Sequence, residues 1–263
     1  MSIDVKELCF SYESNDVLRH VSFSAREGEL MAVLGPNGVG KSTLFGCMLG
    51  FLRPSAGEIT IGGRPLTSFT NTELAREIAY IPQSVAPAFN YTVLDMVTMG
   101  MTNQIGLLHA PGQEHKEKAM AALESLGIAG LASRGCNQIS GGERQLMLLA
   151  RALVQKARLL IMDEPTANLD YGNSYRVMQR IRTLGEQGYT VIFSTHEPNH
   201  AFRYADQVLA LKGGKVLTKG RPAEVLTEEV LSALYSIRVA VRGVDVDGTG
   251  YHVSIPCERG EYR

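Results

Sequence analysis

Leu30-Met31-Ala32-Val33-Leu34-Gly35-Pro36-Asn37-Gly38-Val39-Gly40-Lys41-Ser42-Thr43 is the stretch on which the reading of this chain turns. Five apolar residues in a row predict a buried strand, and Ser42 to Leu52 predicts a helix. Between them lies G-x-x-x-x-G-K-S, with Gly35, Gly40, Lys41 and Ser42 at the spacing of a P-loop. Glycines reach backbone angles closed to other residues. A loop holding Pro36, Asn37, Gly38 and Val39 between two of them can therefore turn its N–H groups inward around phosphate oxygens. The N-terminus of the helix, at Ser42 and Thr43, aims a positive dipole end at the same anion. The spacing assigns Lys41 to the β- and γ-phosphates of a nucleotide and the Ser42 hydroxyl to Mg²⁺.

Bulk properties narrow the setting. The chain has 263 residues, a length that predicts one domain or one domain with a subdomain. Its net charge of −1 argues against a dedicated nucleic-acid binder, which carries a basic excess. Asp4, Lys6 and Glu7 interrupt any apolar secretory core at the N-terminus. The region from Met96 to Gly112 is weakly charged, but Asn103, Gln104, Gly106 and Pro111 suit a loop better than lipid. Cys9, Cys47, Cys136 and Cys257 lie far apart with no C-x-x-C pair. Reduced thiols in the cytosol are expected, and a zinc site is not.

Outward from the loop, residues 3 to 30 predict antiparallel strands: Val5, Leu8 and Phe10 lead to Tyr12, a polar turn follows, then Val17 to Phe23. The run Glu58-Ile59-Thr60-Ile61-Gly62-Gly63 predicts a strand entering a hairpin. A short helix precedes the strand Ile78–Ile81, which ends at Pro82-Gln83. From Ser84 to Ile139 strand alternation disappears. Val93, Leu94, Met96 and Val97, then Ala119, Leu123 and Leu126, recur at helical spacing and predict a helical insertion. Ser140 with Glu143 three residues on is a capping-box spacing at the head of a helix reaching about Gln155. Leu159–Met162 is a fully apolar run suited to a central parallel strand. Helix 172–187, strand 189–194, helix 198–205 and strand 207–211 continue a βαβ rhythm, so the core is expected to be α/β. Residues 223–235 predict a helix. Ile237–Val241 and Tyr251–Ile255 predict a hairpin around Asp245-Val246-Asp247-Gly248. That turn has the look of a calcium loop but lacks its third acid and distal Glu, so an Asp-Gly hairpin turn is expected.

Function is narrowed by two further stretches. Leu159-Leu160-Ile161-Met162-Asp163-Glu164 places two carboxylates at a strand end, where open α/β sheets bind ligands. Downstream of a P-loop, Asp163 is expected to hold Mg²⁺ through water and Glu164 to act as general base on the attacking water. Ser140-Gly141-Gly142-Glu143-Arg144-Gln145 precedes that strand, and the Ser140 hydroxyl with the Gly141 and Gly142 amides forms a second anion-binding helix tip.

With S-G-G-E standing between a P-loop and an apolar-Asp-Glu strand, the chain resembles the ABC ATPases over nearly its whole length. Ile139 replaces the leucine that usually leads the signature. The resemblance implies that Tyr12 stacks on adenine, that Gln83 touches Mg²⁺ and the attacking water, and that His196 contacts the γ-phosphate. It implies that Ala167-Asn168-Leu169-Asp170 crosses a dimer interface, where the family often has Ser-Ala-Leu-Asp. It also implies that the signature helix serves the P-loop of a second copy. The working unit is then a head-to-tail dimer with ATP and Mg²⁺ in its seams, a closed two-fold arrangement.

The same resemblance organises the chain as a P-loop NTPase of the ABC type. Its mixed central sheet carries an N-terminal antiparallel β subdomain and a helical subdomain at about 84–155, within an ATPase domain of 1–236. A C-terminal hairpin extension occupies 237–263. Permease subunits are implied as membrane partners, docking near Ala86 to Asn90, with a substrate-binding protein as indirect partner, no nucleic acid, and a peripheral location on the cytoplasmic face of the inner membrane. Tyr91 to Val97 with Met99-Gly100, the run Thr195-His196-Glu197-Pro198-Asn199 and the tail Gly220 to Tyr235 resemble the ATPases of metal-chelate importers: iron-siderophore, haem, cobalamin and molybdate-type. Met101 stands where that class often has Arg. Exporter ATPases and soluble ABC proteins are the rival classes. The former are often fused to a membrane domain. The latter typically carry two cassettes, a coiled coil or a zinc insertion, features this sequence lacks.

Overall fold

A slip in the apolar alternation of the first strand shapes the first sheet. Ile3 and Val5 face inward, and so do Leu8 and Phe10, which leaves one residue too many between the pairs. The computed structural model describes residues 1–83, 91–104 and 110–257. In it β1 (Ile3–Tyr12) absorbs the surplus as a bulge, with Glu7 at φ 48° and register breaks against both neighbours. Those neighbours are β2 (Asn15–Ala25) and β4 (Ala56–Ile61), and all pairings are antiparallel. β3 (Leu30–Leu34), buried at every residue, leads through the glycine loop into α1 (Lys41–Met48). The helix stops short of the expected Leu52. Gly50 turns to φ 71°, and the Phe51 amide reaches back to the Gly46 carbonyl at 2.9 Å, which closes the last turn. β5 (Arg64–Pro65) completes a sheet of order β2-β1-β4-β5.

The chain forms two compact units, Met1–Ser68 with Thr190–Arg263, and Phe69–Tyr189. The second unit opens with α2 (Asn71–Glu77), capped reciprocally by Thr70 and Glu73, and β6 (Ile78–Ile81). The expected permease-docking segment Ala86–Asn90 lies outside the described residues. α3 (Val93–Thr98), α4 (Gln113–Ser125) and α5 (Gly141–Val154) follow. They bury Val93, Val97, Ala119, Leu123, Met147 and Leu148. β7 (Leu159–Met162) pairs in parallel with β6, and α6 (Tyr171–Glu186) ends the unit. Gln155 ties the end of α5 to the backbone before β6, donating to the carbonyls of Ala75 and Ile78 at 2.6 and 2.8 Å.

Returning to the first unit, the chain adds β8 (Thr190–Thr195), α7 (Pro198–Tyr204), β9 (Gln207–Lys212) and β10 (Lys215–Gly220). β3 lies between β8 and β9, parallel to both, which is why it is apolar throughout. β10, not anticipated from the sequence, folds back antiparallel on β9 through the Gly213-Gly214 turn. The expected single tail helix is two: α8 (Pro222–Val225) and α9 (Glu228–Tyr235). Thr227 divides them, because its hydroxyl caps α9 by accepting the Val230 amide at 3.3 Å. β11 (Arg238–Val246) and β12 (Thr249–Cys257) form a hairpin longer than the alternation indicated, closed at Asp247-Gly248 with φ of 52° and 78°. Positive φ at both central residues is the Asp-Gly hairpin turn.

One close approach in the second unit has a measurable cost. A Cβ on Gly100 would collide with the Arg151 carbonyl of α5 and sit 2.8 Å from a Val154 methyl. Gly100→Ala should therefore destabilise the protein by about 1–3 kcal/mol, read as a lower urea midpoint at unchanged slope.

Candidate functional site

Three positions of the glycine loop are held to glycine, by close packing or by backbone angle. At Gly35 a Cβ would lie 2.8 Å from the Leu211 carbonyl and 2.9 Å from Val39. Gly38 and Gly40 adopt φ of 78° and 109°, the left-handed region that disfavours other residues. Gly40 is the N-cap of α1, and no side chain caps that helix. Its first turn thus has the arrangement in which helix N–H groups and dipole favour an anion. The Lys41 side chain is 6% exposed. Its ammonium donates to the carbonyls of Gly35 at 2.8 Å and Pro36 at 3.2 Å, which sets the charge at the loop mouth. Asn37 and Ser42 are exposed, Pro36 and Thr43 are half-buried, and Val39 is buried.

The same unit positions two more of the expected residues. Tyr12, at the end of β1, is 52% exposed and stands edge-on to Phe10 with ring centres 4.8 Å apart, so it is not a core aromatic. His196 follows β8 directly and is exposed. Its carbonyl accepts the Tyr235 hydroxyl at 2.8 Å, a long-range contact that no motif or spacing indicates. Four residues on, His200 contacts Glu197 at 3.3 Å. Burial holds the His200 pKa below the ordinary histidine value, Glu197 opposes that, and the charge of His196 adds to it.

In the second unit β7 delivers the acidic pair. Asp163 is buried, and its amide donates to the Ile81 carbonyl at 2.9 Å, which prolongs the β6–β7 ladder by one residue. Burial raises the Tyr80 pKa, and the Asp163 charge raises it further. Glu164 is half-buried at φ 42°, a left-handed conformation worth roughly 1–2 kcal/mol of strain for a residue with a side chain. The strain turns the chain sharply off the strand end, and the Glu164 carbonyl accepts the Ala167 amide at 3.0 Å. Asn168 makes a second left-handed step at φ 62°. Asp170 then caps α6, accepting the Asn173 amide at 2.8 Å and the Asn173 side-chain amide at 2.6 Å. The first of these bonds holds its carboxyl below the ordinary value. Gln83 lies exposed two residues beyond β6.

The Ser140–Glu143 capping box forms as its spacing predicts. The Ser140 hydroxyl accepts the Glu143 amide at 3.3 Å, and the Glu143 carboxylate accepts the Ser140 amide at 2.7 Å. Glu143 is therefore committed to Ser140, and it acts on any anion at this helix tip by fixing the serine. The glycines have a packing role that anion-binding logic alone misses. A Cβ on Gly142 would meet Asn173 of α6 at 2.8 Å, and one on Gly141 would meet Leu169 at 3.1 Å. Beside the tip lies a cleft of about 560 Å³ whose lining includes Ser140, Glu143, Arg176 and Arg180.

Residues 18–167 match the ABC transporter family. An uncharacterized ABC transporter ATP-binding protein of Haemophilus influenzae is 40% identical over 235 residues, which cover 89% of each chain. A hemin import ATP-binding protein of Thermobifida fusca is 36% identical over 255 residues, covering 97% of this chain and 88% of that one. A chain of a solved metal-chelate type ABC transporter in an inward-facing conformation superposes with a TM-score of 0.89 at 32% identity, covering 98% of both chains.

The capping box makes one pH-dependent prediction. The Ser140 amide, then its hydroxyl, holds the Glu143 carboxyl below its ordinary 4.5. A carboxyl depressed by folding stabilises fully above its unfolded pKa and ceases to do so as pH falls through the folded value. Glu143→Gln keeps the box but cannot titrate. Between about pH 6 and pH 3 the variant should lose less unfolding free energy than the native chain, measured by urea titration at each pH.

Proposed function

The chain belongs to the ABC transporter family and is an ATPase of it, and from that premise we propose that it powers the import of metal chelates. In this reading it binds ATP with Mg²⁺, works as a head-to-tail pair of identical copies, and docks on separate permease subunits at the cytoplasmic face of the membrane. Among the described residues no helix is long and apolar enough to cross a membrane. The observation that carries the ATPase half is the buried Lys41 ammonium held over a left-handed glycine loop. The import half is supported by the full-length likeness to a metal-chelate type transporter, tail included.

The residues suit the ion as well as the nucleotide. Ser42 offers a hydroxyl on the first turn of α1, and Asp163 a carboxylate at the end of β7. Both are hard oxygen donors. Among the described residues no three His, Cys, Asp or Glu side chains gather into a metal cage. Mg²⁺ takes one or two carboxylates together with substrate phosphates, and a hydroxyl and a carboxylate are each donors of the kind it prefers. When bound, the ion would neutralise charge on the β- and γ-phosphates.

The chain's own residues then divide the work. Loop amides and Lys41 hold the triphosphate. Tyr12 stacks on the base. Gln83 and His196 orient water against the γ-phosphate, and Glu164 takes its proton. The helix tip of the other copy, Ser140 with the Gly141 and Gly142 amides, grips the same γ-phosphate, and Asp170 lies at that seam. ATP closes the pair by supplying contacts that neither copy has alone. Hydrolysis removes them, and the pair opens.

Two substitutions separate these roles. Glu164→Gln should cut turnover by about a hundredfold or more while ATP still binds and holds a closed dimer, as read by gel filtration with ATP. Lys41→Ala should instead weaken nucleotide binding itself, as read by titration with a fluorescent ATP analogue. Normal turnover by Glu164→Gln would show that another group is the base. Proteoliposomes containing the permease should take up an iron chelate, haem, cobalamin or molybdate only with ATP inside. No uptake of any of these would refute the import reading.

A further inference from the structure

The segment from Thr195 to Asn199 carries His196 between β8 and α7, and it is braced from three directions. Internally, the Thr195 hydroxyl accepts the Glu197 amide at 3.0 Å, and Pro198 opens α7. From α9, the half-buried Tyr235 donates its hydroxyl to the His196 carbonyl at 2.8 Å. From β12, the Ser254 amide and hydroxyl donate to the Asn199 side-chain carbonyl at 2.7 and 2.9 Å, and the Asn199 amide donates back to the Ser254 carbonyl at 3.3 Å.

The braces are themselves anchored. Phe202 of α7 stacks on His252 of β12 at 5.8 Å, and the Arg203 guanidinium lies 5.8 Å from the Tyr251 ring centre. The hairpin is locked to α9. The Ser232 hydroxyl accepts the Val239 amide at 2.9 Å, and Glu228 accepts the Val241 amide at 3.0 Å and pairs with Arg242. The Lys212 ammonium at the end of β9 donates to the Ala233 carbonyl, which fixes α9 to the strand beside the phosphate loop. A carbonyl held in place fixes the peptide plane after His196. The imidazole springs from the same Cα, so holding that backbone narrows where the ring can start from, and the ring then takes one of a few staggered rotamers.

We propose that Tyr235 is a positioning residue for ATP hydrolysis: its hydroxyl, braced by the C-terminal hairpin, holds the His196 backbone so that the imidazole is presented to the γ-phosphate in one place. This rests on the reading of His196 as a γ-phosphate contact. The extension beyond Tyr235 thereby serves catalysis through the histidine it helps to hold. Burial pushes the Tyr235 phenol well above its ordinary pKa, with Glu197 adding to the effect, so the hydroxyl stays a donor across the working pH range.

The test is steady-state ATPase kinetics on the full chain with Tyr235→Phe, His196→Ala and the double variant. His196→Ala should lower kcat by about a hundredfold. Tyr235→Phe keeps the ring and loses one hydrogen bond. It should lower kcat by about tenfold and leave KM for ATP within about twofold of the native value. Adding Tyr235→Phe to His196→Ala should cost nothing more, because the tyrosine acts only through the histidine. A native kcat in Tyr235→Phe, a change confined to KM, or a loss that multiplies through in the double variant would overturn the proposal. Native kcat in His196→Ala would sink the underlying reading of the histidine as well, and that outcome is visible separately. Should Tyr235→Phe fail to fold, Ser254→Ala loosens the same segment from β12. It must then show a kcat loss that vanishes on the His196→Ala background, and an additive loss there would equally overturn the brace.

Discussion

A lysine ammonium buried at the head of a helix is the interaction on which this molecule depends. Removing a positive charge from water is costly unless acceptors replace the water. Here the carbonyls of Gly35 and Pro36 do so. Those carbonyls face the ammonium only because the loop between them and α1 passes through left-handed glycines, and because Gly35 runs hard against Leu211. The loop is anchored in turn by β3, which lies between two parallel neighbours and has no exposed residue. The same geometry that buries one positive group leaves N–H donors and a helix dipole facing outward, where a polyanion supplies the missing charge.

Much of this was legible because it is local. Apolar runs marked β3 and β7, and the Ser140–Glu143 spacing marked both a helix start and its cap. The acidic pair followed β7 without a break. Misjudged boundaries trace to single residues whose effect is conformational. Gly50 ended α1 four residues early, and Thr227 split the tail helix by capping its second half. β10 leaves little mark in the sequence because it is a half-exposed edge strand with little apolar contrast. The contact between Tyr235 and His196 spans 39 residues of sequence, and no periodicity points to it. The sequence around Gly141 and Gly142 points only to their amides. Their packing against Leu169 and Asn173 needed the fold.

Carboxylates assigned to a ligand can be spoken for by their own backbone. Glu143 and Asp170 both serve as helix caps, which places their charge at a helix N-terminus where it is stabilising. Glu164 is the contrasting case. It sits at the end of a buried strand in a strained left-handed conformation, where backbone strain of this kind collects at working sites.

The bulge at Glu7 binds two distant positions together. The Glu7 carbonyl it pushes outward lies where a side chain on Gly57 of β4 would have to go, and Gly57 itself stands at φ 92°. Position 57 is thus held to glycine twice over, by the carbonyl of the bulge opposite and by its own left-handed backbone, so a side chain there would have to displace one strand and re-turn the other.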